Sequence, residues 1–119
     1  MNNKDFSERM EIRTKQFAIS IISLSASLII STESNVIKNQ ITKSATSIGA
    51  NYREANMASS IADFTYRIKI CEKEANETLF WLEIIDELHW AEIEKIRTIY
   101  KEAKEILAIY TSIGKKLKL

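Results

Sequence analysis

The chain of 119 residues contains no proline, two glycines (Gly49 and Gly114), one cysteine and one histidine. A β-rich fold of this length needs many turn residues, so their scarcity points to a few long helices. The lone Cys71 cannot form an internal disulfide, and a reducing, cytoplasmic compartment suits it best. With His89 as the only histidine, the second Glu-x-x-His pair of a di-iron bundle cannot be completed, and no metal or other cofactor is expected. Neither sign of charge dominates: 17 Lys and Arg stand against 16 Asp and Glu, a net charge of +1. A long apolar run is missing too. The least charged segment, Phe17–Ile30 (FAISIISLSASLII), is shorter than the roughly 20 residues a membrane span requires. Serines at 20, 23, 25 and 27 interrupt it, and Asp5, Glu8 and Glu11 precede it, unlike a signal peptide. It reads as a buried helix, with no membrane role.

What remains is the composition of a folded protein, 45% apolar and 28% charged, enough for one core in a single domain over 1–119. Four helices follow from the 3.6-residue period. The first runs from about Asp5 to Ile30, with Met10, Phe17, Ile21, Leu24 and Leu28 inward. Ser31–Asn35 supplies turn and cap residues, Ser34 or Asn35 being the expected N-cap. The second carries Ile37, Ile41, Ala45, Ile48 and Tyr52 on one face and ends near Ala55–Ala58. Ser60-x-x-Asp63 opens the third, whose stripe is Phe64, Ile68, Cys71, Ala75, Thr78, Leu82 and Ile85. A break near Leu88–Ala91 precedes a fourth helix with Ile93, Ile96, Tyr100, Ala103, Leu107 and Tyr110. Loops this short force antiparallel neighbours, so the expected fold is all-α, an up-down-up-down four-helix bundle.

Two helices carry more apolar surface than one core needs. The third adds Tyr66, Ile70, Trp81, Ile84 and Leu88; the fourth adds Ile99, Ile106, Ile109 and Ile113. Large contiguous apolar patches are rare on monomers, so a homo-oligomer is expected, with Tyr66, Ile70, Trp81 and Ile84 at its interface. Charge is polarised as well. Glu74 to Glu94 holds seven acids and no Lys or Arg, whereas Lys95 to Leu119 holds seven bases and two acids. In an antiparallel bundle one end gathers Lys4, Arg9, Arg13, Arg53, Arg67, Lys69, Lys115, Lys116 and Lys118. In a ring with parallel axes those ends form a positive rim suited to phosphate. For the C-terminal lysines alone, the attraction of cations to a helix C-terminus is explanation enough.

No catalytic arrangement stands out. Cys71 falls on a core stripe and reads as an inert thiol, and Gly49 stands alone within a helix rather than in a phosphate loop. Small residues Ser44, Ser47 and Gly49 with Asn51 permit close helix approach. Asn51 can then bond across to Glu74 or Glu77, a buried polar latch that fixes register. A second reading has the serines, Asn51 and Arg53 lining a groove.

The pattern Gln40-x-x-x-Ser44-Ala45-x-Ser47-Ile48-x-Ala50-Asn51-x-x-Glu54, followed by Asp63-Phe64 and Glu74-Ala75-x-Glu77-x-x-x-Trp81-Leu82, resembles the family named for the protein encoded in the 23S rRNA intervening sequence. The likeness extends over nearly the whole chain. It implies a left-handed four-helix bundle that assembles into a ring, usually a pentamer, without known catalytic activity. Relatives include the accessory variability protein of diversity-generating retroelements, a basic barrel that binds nucleic acid and a reverse transcriptase. This chain differs from that branch in its near-neutral charge, and carries Tyr52 where a smaller aliphatic residue is usual.

The expectation is therefore a non-enzymatic ring that binds structured RNA, ribosomal RNA included, or other nucleic acid. Arg9, Arg13, Arg53, Arg67 and Lys69 form the contact rim. The alternative is a scaffold for a protein partner such as a polymerase or reverse transcriptase.

Overall fold

Four helices account for nearly all of residues 3–117, the part of the chain that the computed structural model describes: α1 (Asn3–Ser27), α2 (Thr32–Asn56), α3 (Ile61–Glu87) and α4 (Ile93–Leu117). No strand occurs among the described residues. Lys118 lies outside them.

Local chemistry sets each boundary. Ser31, rather than Ser34 or Asn35, caps α2. Its Oγ accepts from Ser34 N at 3.0 Å while Ser34 Oγ accepts from Ser31 N at 3.0 Å, a reciprocal pair that satisfies two orphan amides. The chain therefore turns earlier than the apolar run suggested, and Ile29 and Ile30 fall in the connection. Ser60 caps α3, accepting from Asp63 N at 3.1 Å. The α3–α4 corner uses neither glycine nor proline. His89 takes φ 56°, and the amides of His89 and Trp90 bond Asp86 O and Ile85 O at 3.0 and 3.2 Å. That is the two-bond C-terminal lock usually built on a left-handed glycine.

Each helix packs against its neighbours in sequence, and α4 closes on α1. The registers run antiparallel. Glu11 of α1 meets Arg53 and Asn56 of α2, Ser44 and Asn51 of α2 meet Thr78 and Arg67 of α3, and Glu72 and Glu83 of α3 meet Thr111 and Tyr100 of α4. Met10, Phe17, Ile21, Leu24 and Leu28 are all buried, as their spacing predicts. Gly49 lets α1 and α2 approach: a Cβ there would stand 3.0 Å from Thr14 Oγ1, which is itself held by its bond to Met10 O.

Two helical faces depart from expectation. On α4 the buried row is Ile96, Ile99, Ala103, Ile106, Tyr110 and Gly114, so Ile99 and Ile106 belong to the core and not to a spare stripe. Ile93 is half exposed instead. On α1 the Phe17–Ile30 segment is buried along one side only. Ile19, Ile22, Ile29 and Ile30 face outward with Ile12, at 56%, 46%, 53%, 89% and 58% exposure.

Candidate nucleic-acid interface

The five candidate cations all lie toward the end of the bundle where α1 and α3 begin and α2 and α4 finish, but they do not form one patch on a single chain. Arg13 points toward α4, Arg53 toward α1, and Arg67 into the seam between α2 and α3. Arg9 and Lys69 are exposed.

Their electrostatic states differ sharply. Arg13 is committed: Nε and Nη2 donate to the two oxygens of Glu102 at 2.7 Å each, and Nη2 also reaches Glu105 at 2.9 Å. The bond to Glu102, above all, raises its pKa further still. A guanidinium so paired has little left to offer a phosphate. Arg53 lies 3.7 Å from Glu11, a loose and largely solvated pair. Arg67 has no carboxylate partner among the described residues. It donates from Nη1 to Asn51 Oδ1 at 3.0 Å and lies 5.8 Å from the centre of the Tyr66 ring, an amide and a ring face that aim the charge without cancelling it.

The anticipated latch exists with different partners. Asn51 turns its amide donor to Ser47 O at 2.9 Å and its oxygen to Arg67, and does not reach Glu74 or Glu77. The buried polar contact between the helices is made by Ser44 and Thr78, whose hydroxyls are 2.8 Å apart with both residues fully buried. Glu77 accepts from Trp81 Nε1 at 3.2 Å on its own helix. Burial, then the nearby Glu77, pushes the Glu74 carboxyl above its ordinary pKa, with Lys73 and Lys43 opposing. No sequence signal pointed to the Arg13–Glu102 pairing, whose members stand 89 positions apart.

Of the residues assigned to an oligomer interface, Tyr66 is 59% exposed, while Ile70, Trp81 and Ile84 are half-buried. Phe80, exposed beside them, packs edge-on against Trp81 at 4.9 Å.

The opposite end is acidic. Glu83, Asp86 and Glu87 line a cleft of about 410 Å³ with Ile96, Arg97 and Tyr100, where Tyr100 Oη donates to Glu83 at 2.9 Å. Such a surface repels phosphate. In the core, Cys71 Sγ donates to Ile48 O at 3.4 Å, and burial pushes the thiol up to about 12. Among the described residues no three His, Cys, Asp or Glu side chains stand together as a metal site, and no helix is long and apolar enough to cross a membrane.

The geometry is that of an all-helical bundle with Arg67 oriented, and not paired with a carboxylate among the described residues, at one end. Residues 9–112 match the family described as the 23S rRNA-intervening sequence protein, and the chain belongs to that family. It is also similar to a solved structure from Bacteroides thetaiotaomicron, a protein with unknown function from the S23 ribosomal protein family. The two share 38% identity and a TM-score of 0.82, over 89% of this chain and 98% of that one. No curated protein shows a significant match.

Proposed function

We propose that the chain is a non-catalytic module that associates with copies of itself and binds structured RNA through its basic end. The observation that carries this reading is Arg67, charged, fixed in direction by Asn51 and Tyr66, and free of any carboxylate among the described residues. Lys69, exposed two residues on and therefore on the other flank of α3, adds a second cation at the same end, and Arg9 and Arg53 extend the positive end around the bundle. Repetition of this set in an assembly multiplies the number of phosphates met at once, which is how weak single contacts become useful affinity. Membership of a family named for an rRNA intervening sequence makes RNA the natural first ligand.

Fluorescence anisotropy with labelled structured RNA and with duplex DNA, at low and physiological salt, tests it. Saturable binding that weakens with salt, is abolished in Arg67→Glu with Lys69→Glu, and survives Arg13→Gln is the expected result. No binding at low salt overturns the reading.

A second reading, a scaffold for a protein partner, is favoured by one observation: exposed Ile12, Ile19 and Ile22 on α1 and Tyr66 and Phe80 on α3 are apolar surface that RNA does not cover. Salt-insensitive capture of a protein partner, lost on charging those positions, separates it from the first.

A further inference from the structure

All four helices contribute an end to one recess at the basic end of the bundle. It has a volume of about 420 Å³ and is lined by Phe6 and Ser7 of α1, Tyr52 and Asn56 of α2, Phe64 of α3, and Ile113 and Lys116 of α4. That volume falls within the range of small-ligand sites. Its three aromatic rings set it apart from the other clefts. The acidic cleft at the far end holds one ring, Tyr100. The groove between α1 and α4 holds only buried Phe17, and its Arg13 is already gripped by Glu102 and Glu105. The clefts between α1 and α2 around Arg53 hold none.

The recess is held in shape. Phe6 and Phe64 pack on the core yet are only half-buried, so each keeps part of its ring open. Tyr52 is the buried floor: its ring meets Tyr110 edge-on at 5.5 Å, and its hydroxyl has Ser7 and Asn56 as hydrogen-bond partners. Asn56 is fixed in turn, its Nδ2 donating to Glu11 Oε2 at 2.7 Å. Two hydroxyls and an amide thus sit among the rings, and each can donate or accept.

Charge in the lining comes from exposed Lys116, and among the described residues no carboxylate lines the recess. Asp5, Glu8 and Asp63 each adjoin a lining residue in sequence and so are turned about 100° away from it. Lys115 is offset from Lys116 in the same way. These flanking charges nearly cancel, which leaves Lys116 as the local attraction and stacking as the larger part of any affinity. Arg67 follows one turn beyond Phe64 on α3, about 4.5 Å along the axis.

We propose that this recess receives one unpaired nucleobase of the bound RNA, stacked on the Phe6 and Phe64 rings, with Lys116 on an adjoining phosphate. The proposal rests on the RNA-binding reading above and names the part of the RNA that is held. Stacking on an aromatic side chain is the common way a protein holds a base that has left its helix, and it works for any base because each has a π face. A base edge presents donors and acceptors together, as the Tyr52, Ser7 and Asn56 groups do. A free phosphate would use Lys116 and none of the rings. An aliphatic chain would strip water from three polar groups and return no bond. A fully paired stem gives up a base only by breaking a pair, so the RNA selected is one with a bulge, a loop or an unpaired end.

Fluorescence anisotropy on three labelled RNA duplexes of one sequence tests this: fully paired, with a single-nucleotide bulge, and with the bulged nucleotide abasic. The bulged duplex should bind about tenfold more tightly than the paired one, and the abasic duplex should lose that gain. In Phe6→Leu and Phe64→Leu, each verified as helical and cooperatively folded, the preference should fall while affinity for the paired duplex is kept. The abasic duplex requires no change to the protein, so the test stands even where a variant unfolds. Equal affinity of the wild type for all three duplexes overturns the proposal and leaves RNA binding standing. A bulge preference that persists in the abasic duplex, or in both leucine variants, reports bent RNA rather than a held base and overturns it too. No binding of any duplex at low salt removes RNA binding itself, and the proposal with it.

Discussion

Asn51 Oδ1 accepts a 3.0 Å hydrogen bond from Arg67 Nη1 while its amide nitrogen donates to Ser47 O. Only this orientation of the amide satisfies both neighbours, because a guanidinium cannot accept and a carbonyl cannot donate. One side chain thereby ties the last turns of α2 to a cation on α3. Asn51→Ala frees Arg67 at the loss of about 1 kcal/mol of orientation, roughly fivefold in RNA affinity. Binding isotherms should show this with far-UV helicity unchanged, and an affinity equal to wild type would mean that the guanidinium works without being aimed.

The buried hydroxyl pair makes a different demand. Thr78 Oγ1 lies 2.8 Å from Glu74 O and Ser44 Oγ 3.2 Å from Ile41 O, so each hydroxyl has a carbonyl on its own helix as well as the other hydroxyl, and one of the two gives its proton across the seam. Ser44→Ala and Thr78→Val should each cost about 1 kcal/mol in urea unfolding, and the double variant less than their sum by about 0.5–1 kcal/mol. Strict additivity would show that the two hydroxyls act independently.

His89 occupies a backbone region that glycine enters without steric cost. His89→Gly should raise stability by about 0.5–1 kcal/mol, whereas His89→Val should lower it, since a β-branched residue resists positive φ. Thermal melts at one fixed protein concentration decide the matter. Equal melts for all three would mean the corner relaxes out of its left-handed turn.

Cys71 sets an alkaline limit. Its folded pKa of about 12 exceeds the unfolded value of about 8.5. Stability from the protonated thiol is therefore complete below about pH 8.5 and is lost as pH rises toward the folded value. Buried Tyr52 and Tyr110, both raised chiefly by burial, act in the same direction from about pH 10. Denaturation at pH 7, 8.5 and 9.5 should show falling stability that Cys71→Ala flattens. Thiol labelling should track unfolding rather than time in the folded state. Rapid labelling of folded protein would contradict the burial.

The inward rows of α1, α2 and α3 were legible because each has a polar opposite face, or a strict step of three and four, that leaves one choice of core. On α4 the pairs Ile99–Tyr100 and Ile106–Leu107 put apolar residues side by side, 100° apart, and periodicity cannot choose between them; packing against α1 and α3 chose the isoleucines. The outward isoleucines of α1 were hidden for a similar reason, because serines between them carry no charge to mark a solvated side. Arg13 looked like a free cation because its carboxylates come from the far end of the chain. The α3 cap was legible in place, at Ser60, but the α2 cap only in kind: Ser31 and Ser34 are equally good caps by residue type, and the reciprocal bond picks the earlier one.

The first and last helices of the chain share the thinnest contact in the bundle, and the Arg13 guanidinium gripping Glu102 and Glu105 spans it like a buckle. A bundle fastened this way breathes first where the chain's beginning meets its end, with α2 and α3 as the part that stays shut. Amides of α1 and α4 should then exchange ahead of those at the centre.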